Sequence, residues 1–295
     1  MVETMTTTSI SGGELRLADG LTITRMGYGA MQLAGPQAFG PPRDHDEAIA
    51  VLREAVDRGV THIDTSDYYG PVVVNRLIRE ALHPYPDSLV IATKVGSRRL
   101  PDGAWMQSLH PEDLKAQVYD NLRNLRVDAL DLVNLRVGGV EETRDDPLAA
   151  PFGALAELRE QGLIKHLGLS GVTVGQLREA QSIASVAAVQ NLYNLAKRAD
   201  DPLVDVVAAE NIAFVGYFPL GGFSPLQSTT LRDVAARLGA ARQQVALAWL
   251  LQRSPTMALI PGTSSVAHLR DNLAAADLVL PADAVAELDR IAAEG

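Results

Sequence analysis

The chain has 295 residues, 47% of them hydrophobic and 21% charged, the balance of a globular protein with a sizeable core. Its 36 acidic against 26 basic side chains leave a formal charge of −10, which argues against a broad basic surface for nucleic acid. Cysteine is absent, which excludes disulfides, thiol nucleophiles and cysteine metal sites.

Residues 1–12 read as a flexible tail. They lack the basic segment and apolar run of a secretory signal, and no stretch reaches the roughly 18 apolar residues of a membrane span. The expected location is the cytoplasm, with no membrane partner. A hairpin is expected over 13–24, turning at Asp19-Gly20. Strands follow at about 26–31, 61–65, 89–94, 131–136, 166–170, 187–191, 214–219 and 257–261. Between them, apolar residues recur at helical spacing, as in Ala48, Val51, Leu52 and Ala55, or Leu114, Val118, Leu122 and Leu125. Asp44 and Ser228 suit helix starts, Gly59 and Gly162 helix ends. A last helix over 281–293 is expected to pack across the outside.

Eight strand-then-helix units predict a parallel sheet, because parallel strands need crossovers. The number eight favours closure into a (β/α)8 TIM barrel, one α/β domain over 1–295 with the N-terminal hairpin and a C-terminal helix added. An open doubly wound sheet is the alternative, weakened because no G-x-G-x-x-G string follows the first strand.

Chemistry in such barrels sits at the C-terminal strand ends. The second strand runs out through His62-Ile63-Asp64-Thr65-Ser66-Asp67-Tyr68-Tyr69-Gly70, the third ends at Lys94 and the fourth at Arg136. An Asp, a Tyr and a Lys at one mouth make an acid catalyst: the ammonium favours tyrosinate and lowers the phenol's pKa, while the carboxylate holds the lysine. Each alone is an ordinary strand-end charge; three on adjacent strands favour catalysis. His62 shares the facing of Asp64 one layer deeper and His110 opens a helix, so both read as structural. The loops after strands seven and eight, Leu220-Gly221-Gly222-Phe223-Ser224 and Gly262-Thr263-Ser264-Ser265, suit a phosphate, with glycines allowing close approach and a helix N-terminus following. The bland alternative is turn glycines and a serine cap. Trp105 and Met106, in the loop after strand three, with Tyr28, Tyr68 and Phe39, are expected to line a mouth suited to flat or apolar substrates. Trp249, within an apolar helical run, is core. No metal site is expected.

The segment Asp64-Thr65-Ser66-Asp67-Tyr68-Tyr69-Gly70 resembles the D-T-A-x-x-Y-G signature of the aldo-keto reductases, with Tyr69 at the tyrosine position. Gly168-Leu169-Ser170-Gly171, Val189-Gln190-Asn191-Leu192-Tyr193-Asn194 and Ile260-Pro261-Gly262 match further family strings in order. The resemblance runs nearly end to end. It implies an NADPH-dependent oxidoreductase that reduces an aldehyde or ketone to an alcohol. Tyr69 would protonate the carbonyl oxygen, tuned by Asp64 and Lys94. Ser170 and Gln190 would hold the nicotinamide carboxamide, Tyr217 would stack on its ring, and Gly29 and Met31 would lie beside the cofactor. The strings Gly27-Tyr28-Gly29-Ala30-Met31-Gln32-Leu33 and Arg136 resemble a bacterial, pyridoxal-reductase-like branch, implying a pyridoxal-type aldehyde.

Three positions depart from the family pattern. Arg136 stands where a histidine is usual; it donates several hydrogen bonds and stays charged, so it can stabilise a developing alkoxide, receive an anionic substrate group, or turn away to a carboxylate. Gly171 replaces a carboxamide-binding Asn. The 2′-phosphate region offers Thr263, Ser264, His268 and Arg270, with Asn272 on the adenine side, so NADPH is favoured and NADH is the alternative. Two competing readings are a nicotinamide-binding protein with little turnover and a non-redox lyase, isomerase or cyclase on the same barrel.

Overall fold

The computed structural model describes residues 12–17, 19–139, 144–222 and 226–293. Most of the expected tail, and Phe223 and Ser224, lie outside the described residues. The described residues open with an antiparallel hairpin, β1 (Glu14–Arg16) and β2 (Thr22–Thr24), in which Leu15 faces Ile23. Gly20 takes φ +82° in its turn, a conformation open to glycine without Cβ strain. Leu15, Leu17, Leu21 and Ile23 pack in one cluster with Ala92, Leu132, Ala188, Val215 and Ala258 from the barrel interior. The hairpin therefore stoppers the end where the strands begin.

Eight parallel strands form the barrel: β3 (Tyr28–Gly29), β4 (His62–Asp64), β5 (Val90–Val95), then, after a small hairpin of β6 (Ser97–Arg99) and β7 (Trp105–Gln107), β8 (Leu130–Arg136), β9 (Ile164–Ser170), β10 (Ala188–Leu192), β11 (Ala213–Tyr217) and β12 (Met257–Leu259). Each pairs with the next in chain order, apart from the inserted hairpin. Parallel bridges Met26–Leu259 and Gly29–Gly262 join the first strand to the last. The ring is closed, which rules out the open sheet.

Helices α1 (His45–Asp57), α2 (Val73–Leu82), α3 (Pro111–Leu125), α4 (Ala149–Glu160), α5 (Val174–Gln181), α6 (Asp201–Ala209), α7 (Thr229–Leu238), α8 (Arg242–Arg253) and α9 (Val266–Ala274) cover the outside, followed by α10 (Ala282–Leu288). The Asp44 carboxylate accepts from Glu47 N at 3.0 Å and Ser228 Oγ from Leu231 N at 3.2 Å, satisfying orphan donors at two helix starts. Trp249 is 1% exposed and donates to the Asp289 carboxylate.

Three expectations change. The stretch holding Trp105 and Met106 is a hairpin rather than a loop, with Arg99 opposite Trp105 and a turn at Asp102-Gly103, where φ is +84°. The last helix stops at Leu288 and continues as a 3-10 turn over Ile291–Ala293. The first barrel strand is two residues long and gives way to a 3-10 turn, Ala30–Leu33.

Candidate active site

Partnered residues on parallel strands face the same side of the sheet, so register decides which side chains meet inside. Gly29 pairs with Asp64, and Asp64 with Ala92, two residues before Lys94. Arg136 pairs with Ser170, Ser170 with Gln190, and Gln190 with Val215, two before Tyr217. All of these point inward at the rim where the strands end. Tyr28 pairs with Ile63 instead, so its ring faces out toward the helices.

The centre is an ion pair. Lys94 Nζ donates to Asp64 Oδ1 at 2.5 Å and to the Thr65 carbonyl at 3.0 Å, and the two side chains are 5% and 4% exposed. Gln190 Nε2 donates to the other carboxylate oxygen at 2.9 Å. That bond fixes the amide's orientation and leaves Gln190 Oε1 buried with no hydrogen-bond partner. A buried acceptor left open is costly unless a ligand donor meets it.

Tyr69 lies above this pair, with Lys94 Nζ 5.3 Å from its ring centroid. Burial, reinforced by the Asp64 charge, pushes its phenol pKa well above the usual tyrosine value, while Arg136 pulls the other way. This reverses the expected lowering: in the closed rim desolvation outweighs the nearby cations. Tyr68 packs edge-on against Tyr69 and against Trp105, at 5.3 Å between centroids in both cases. Arg99 is clasped between the Trp105 ring at 4.0 Å and the Phe39 ring at 5.2 Å.

Arg136 turns to no carboxylate among the described residues. Its guanidinium donates to Ser170 Oγ at 3.0 Å, to the Gly139 carbonyl and to Tyr217 OH at 3.3 Å, and lies 4.9 Å above the Tyr217 ring. Gly171 has φ +73°, and a Cβ there would sit 2.3 Å from the Val137 carbonyl and 3.5 Å from the guanidinium carbon. The guanidinium fills the space beside a side chain that the glycine lacks.

A cavity of 560 Å³ opens over these groups, lined by Gly29, Met31, Asp64, Tyr68, Tyr69, Lys94, Trp105, Met106, Arg136, Gln190, Tyr217, Leu220, Gly222, Gly262 and Ser264. Eight residues expected at the site, Phe39 among them, are not in that lining. Tyr28 is fully buried and donates to the Thr263 carbonyl at 2.7 Å, so it is wall rather than substrate mouth. Thr263 is buried, its hydroxyl accepting from Ser265 N. Ser170 and Gly171 lie just beneath, Ser170 accepting from Arg136 and Gly171 N donating to Asn191 Oδ1. His268 is exposed, Arg270 is tied to Glu54 at 2.7 Å, and Asn272 is buried on α9. Phe39 packs against Arg99 outside the lining. The sequence reading missed Arg43, Arg144, Gln37, Ser97 and Gln107, which also line the cavity. Of these only Ser97 and Gln107 had a usable signal, the Asp-Gly turn that pairs them across a hairpin.

Three glycines at the rim are required by packing: a Cβ on Gly29 would lie 2.3 Å from the Ile260 carbonyl, one on Gly262 2.8 Å from the Gly29 carbonyl, and one on Gly222 2.4 Å from the Phe218 ring. Only glycine lets the chain approach itself this closely.

The aldo/keto reductase family model matches residues 25–293. Pyridoxine 4-dehydrogenase of Escherichia coli (strain K12) is 58% identical over 275 residues, covering 92% of this chain and 96% of that protein. The crystal structure of the thermostable aldo-keto reductase Tm1743 with the inhibitor epalrestat superposes with a TM-score of 0.81 at 29% identity, covering 95% of this chain and 99% of the other. An aldo-keto reductase from Klebsiella pneumoniae in complex with NADPH gives 0.77 at 26% identity, covering 94% of both chains. A closed eight-stranded barrel with a buried Asp–Lys pair below a tyrosine thus coincides with a match over almost the whole sequence, and the chain belongs to the aldo/keto reductase family.

Proposed function

We propose that this oxidoreductase uses NADP(H) to interconvert a small carbonyl compound, of pyridoxal-type aldehyde class, and its alcohol, with Tyr69 as the proton donor. The observation that carries the reading is the Asp64–Lys94 pair at 2.5 Å set below a buried phenol, with Gln190 donating from Nε2 to the same carboxylate and leaving its Oε1 open. When bound, a nicotinamide would supply the hydride for reduction and take it up in the reverse direction. Gln190 Oε1 would accept from its carboxamide, and the backbone at Gly222 and Gly262 with Ser264 would receive the phosphates at the start of α9.

The chain's own work is proton management. Tyr69 is the phenol placed to give its proton to a carbonyl oxygen, and the rise in its pKa from burial is opposed by the Arg136 charge. Lys94, fixed by Asp64 and Thr65, and Arg136 then stabilise the tyrosinate left behind. Tyr68, Trp105 and Met106 present apolar surface to a flat ring and exclude water from the reacting oxygen. The 58% identity to a pyridoxine dehydrogenase supports the substrate class. The NADPH-complexed reductase at 26% identity supports the cofactor, although Arg270 is committed to Glu54.

Loss of NADPH absorbance with pyridoxal and a panel of aldehydes tests the reading. Turnover is expected with NADPH above NADH, and Tyr69→Phe is expected to abolish it. A Tyr69→Phe variant that turns over at the normal rate defeats the assignment.

A further inference from the structure

Asp64 and Lys94 point into the barrel, so the residues beside them in sequence, Thr65 and Thr93, point out toward the helices. Both hydroxyls are fully buried and both end on one amide pair. Thr65 Oγ1 donates to Asn75 Oδ1 at 2.8 Å, Thr93 Oγ1 donates to Asn121 Oδ1 at 2.7 Å, and Asn75 Nδ2 donates to the same Asn121 oxygen at 2.9 Å. Asn75 stands on α2 and Asn121 on α3. A chain of three hydrogen bonds therefore runs outside the sheet from the strand of one ion-pair member to the strand of the other.

The network also reaches the loop that carries the tyrosine. Asp67 Oδ1 accepts from Asn75 Nδ2 at 3.1 Å and from Asn124 Nδ2 at 2.8 Å, while its carbonyl accepts from Val72 N at 2.6 Å. Tyr69, two residues on, is held by Ser66 O and by Val74 N through its backbone. Thr65 is gripped from both sides: its hydroxyl is on Asn75, and its carbonyl accepts from the Lys94 ammonium at 3.0 Å. A rotation at Thr65 moves an acceptor of the lysine directly.

We infer that Thr65, Thr93, Asn75, Asn121 and Asp67 are positioning residues that set the relative height of Asp64, Lys94 and Tyr69 from outside the barrel. The inference rests on the proposed role of those three groups. None of the five outer residues touches the cavity, so a loss of activity on altering them must travel through the strands. Fully satisfied buried polar groups of this kind rigidify what they hold.

The test is Thr93→Val, which replaces one outward hydroxyl by a methyl, beside Thr93→Ser, which keeps it. Misplacement of well under 1 Å at reacting groups lowers rates, so kcat for the reduction is expected to fall about tenfold in Thr93→Val. The pH profile of kcat should shift, KM for the aldehyde and Kd for NADPH should stay within about twofold, and Thr93→Ser should recover the rate. A role in folding alone lowers the active fraction and leaves the pH profile in place, and that result overturns the inference. So does an unchanged kcat in Thr93→Val while Tyr69→Phe is inactive. Normal turnover by Tyr69→Phe removes the catalytic reading itself and this inference with it. Thr65→Val breaks the same chain at the other strand and carries the test if Thr93→Val is not recovered folded.

Discussion

Replacing Lys94 by methionine isolates what the buried ion pair contributes. At 2.5 Å separation and an effective dielectric of about 20, the Coulomb attraction is roughly 7 kcal/mol. Much of that offsets the removal of both charges from water, since the two side chains are 5% and 4% exposed. Methionine matches the stem of lysine and removes the charge, leaving the Asp64 carboxylate buried with the Gln190 amide as its remaining side-chain donor. Breaking such a pair costs about 3–5 kcal/mol. The double variant Lys94→Met/Asp64→Asn leaves no uncompensated charge, so it is expected to be more stable than Lys94→Met by about 2 kcal/mol or more. Urea denaturation followed by far-ultraviolet circular dichroism reads both. A Lys94→Met protein within about 1 kcal/mol of the parent, or a double variant less stable than the single, refutes the reasoning. Both proteins should lack turnover, so stability and activity separate cleanly.

Arg136→Leu removes the charge that favours tyrosinate at Tyr69; alcohol oxidation should fall by about a hundredfold, and its rise with pH should move to higher pH. An unchanged profile takes Arg136 out of the chemistry. Gln190→Leu deletes the open buried acceptor, and NADPH affinity, read by fluorescence titration, should weaken about tenfold; equal affinity counts against the carboxamide site. His62 is fully buried, and burial lowers its pKa from 6.5 to about 4. The unfolded chain takes up this proton below pH 6.5 and the folded chain only near 4, so stability falls as pH drops through that window, by about 3 kcal/mol. His62→Leu should lose that much less than the parent between pH 7 and 4. Trp105→Ala removes the edge contact with Tyr68 and one of the two rings against Arg99, so KM for aromatic aldehydes should rise about two- to tenfold while small aliphatic aldehydes change little.

The barrel was legible because eight apolar runs alternate with helical stripes, and no helix among the described residues is long and apolar enough to cross a membrane. The meeting of Asp64 and Lys94 was read from their places at the ends of adjacent strands, and the ion pair bears this out. Alternation also places Tyr28 on the face opposite Gly29, so its burial was readable in principle; aromatic character drew it to the mouth instead. Arg136 shows the real limit. A long side chain with five donors has several partners in reach, and only the packed structure decides that Ser170, Gly139 and Tyr217 take it. The direction of the Tyr69 pKa was misjudged for a related reason: charges are visible in a sequence, whereas the extent of desolvation emerges from closure of the rim.

The leucine and isoleucine stopper at the base has a mechanical meaning. Through Ala92, Leu132, Ala188, Val215 and Ala258 it touches five of the eight strands at once, and because the interior of such a barrel is a filled core, one short hairpin braces most of the cylinder beneath the ion pair.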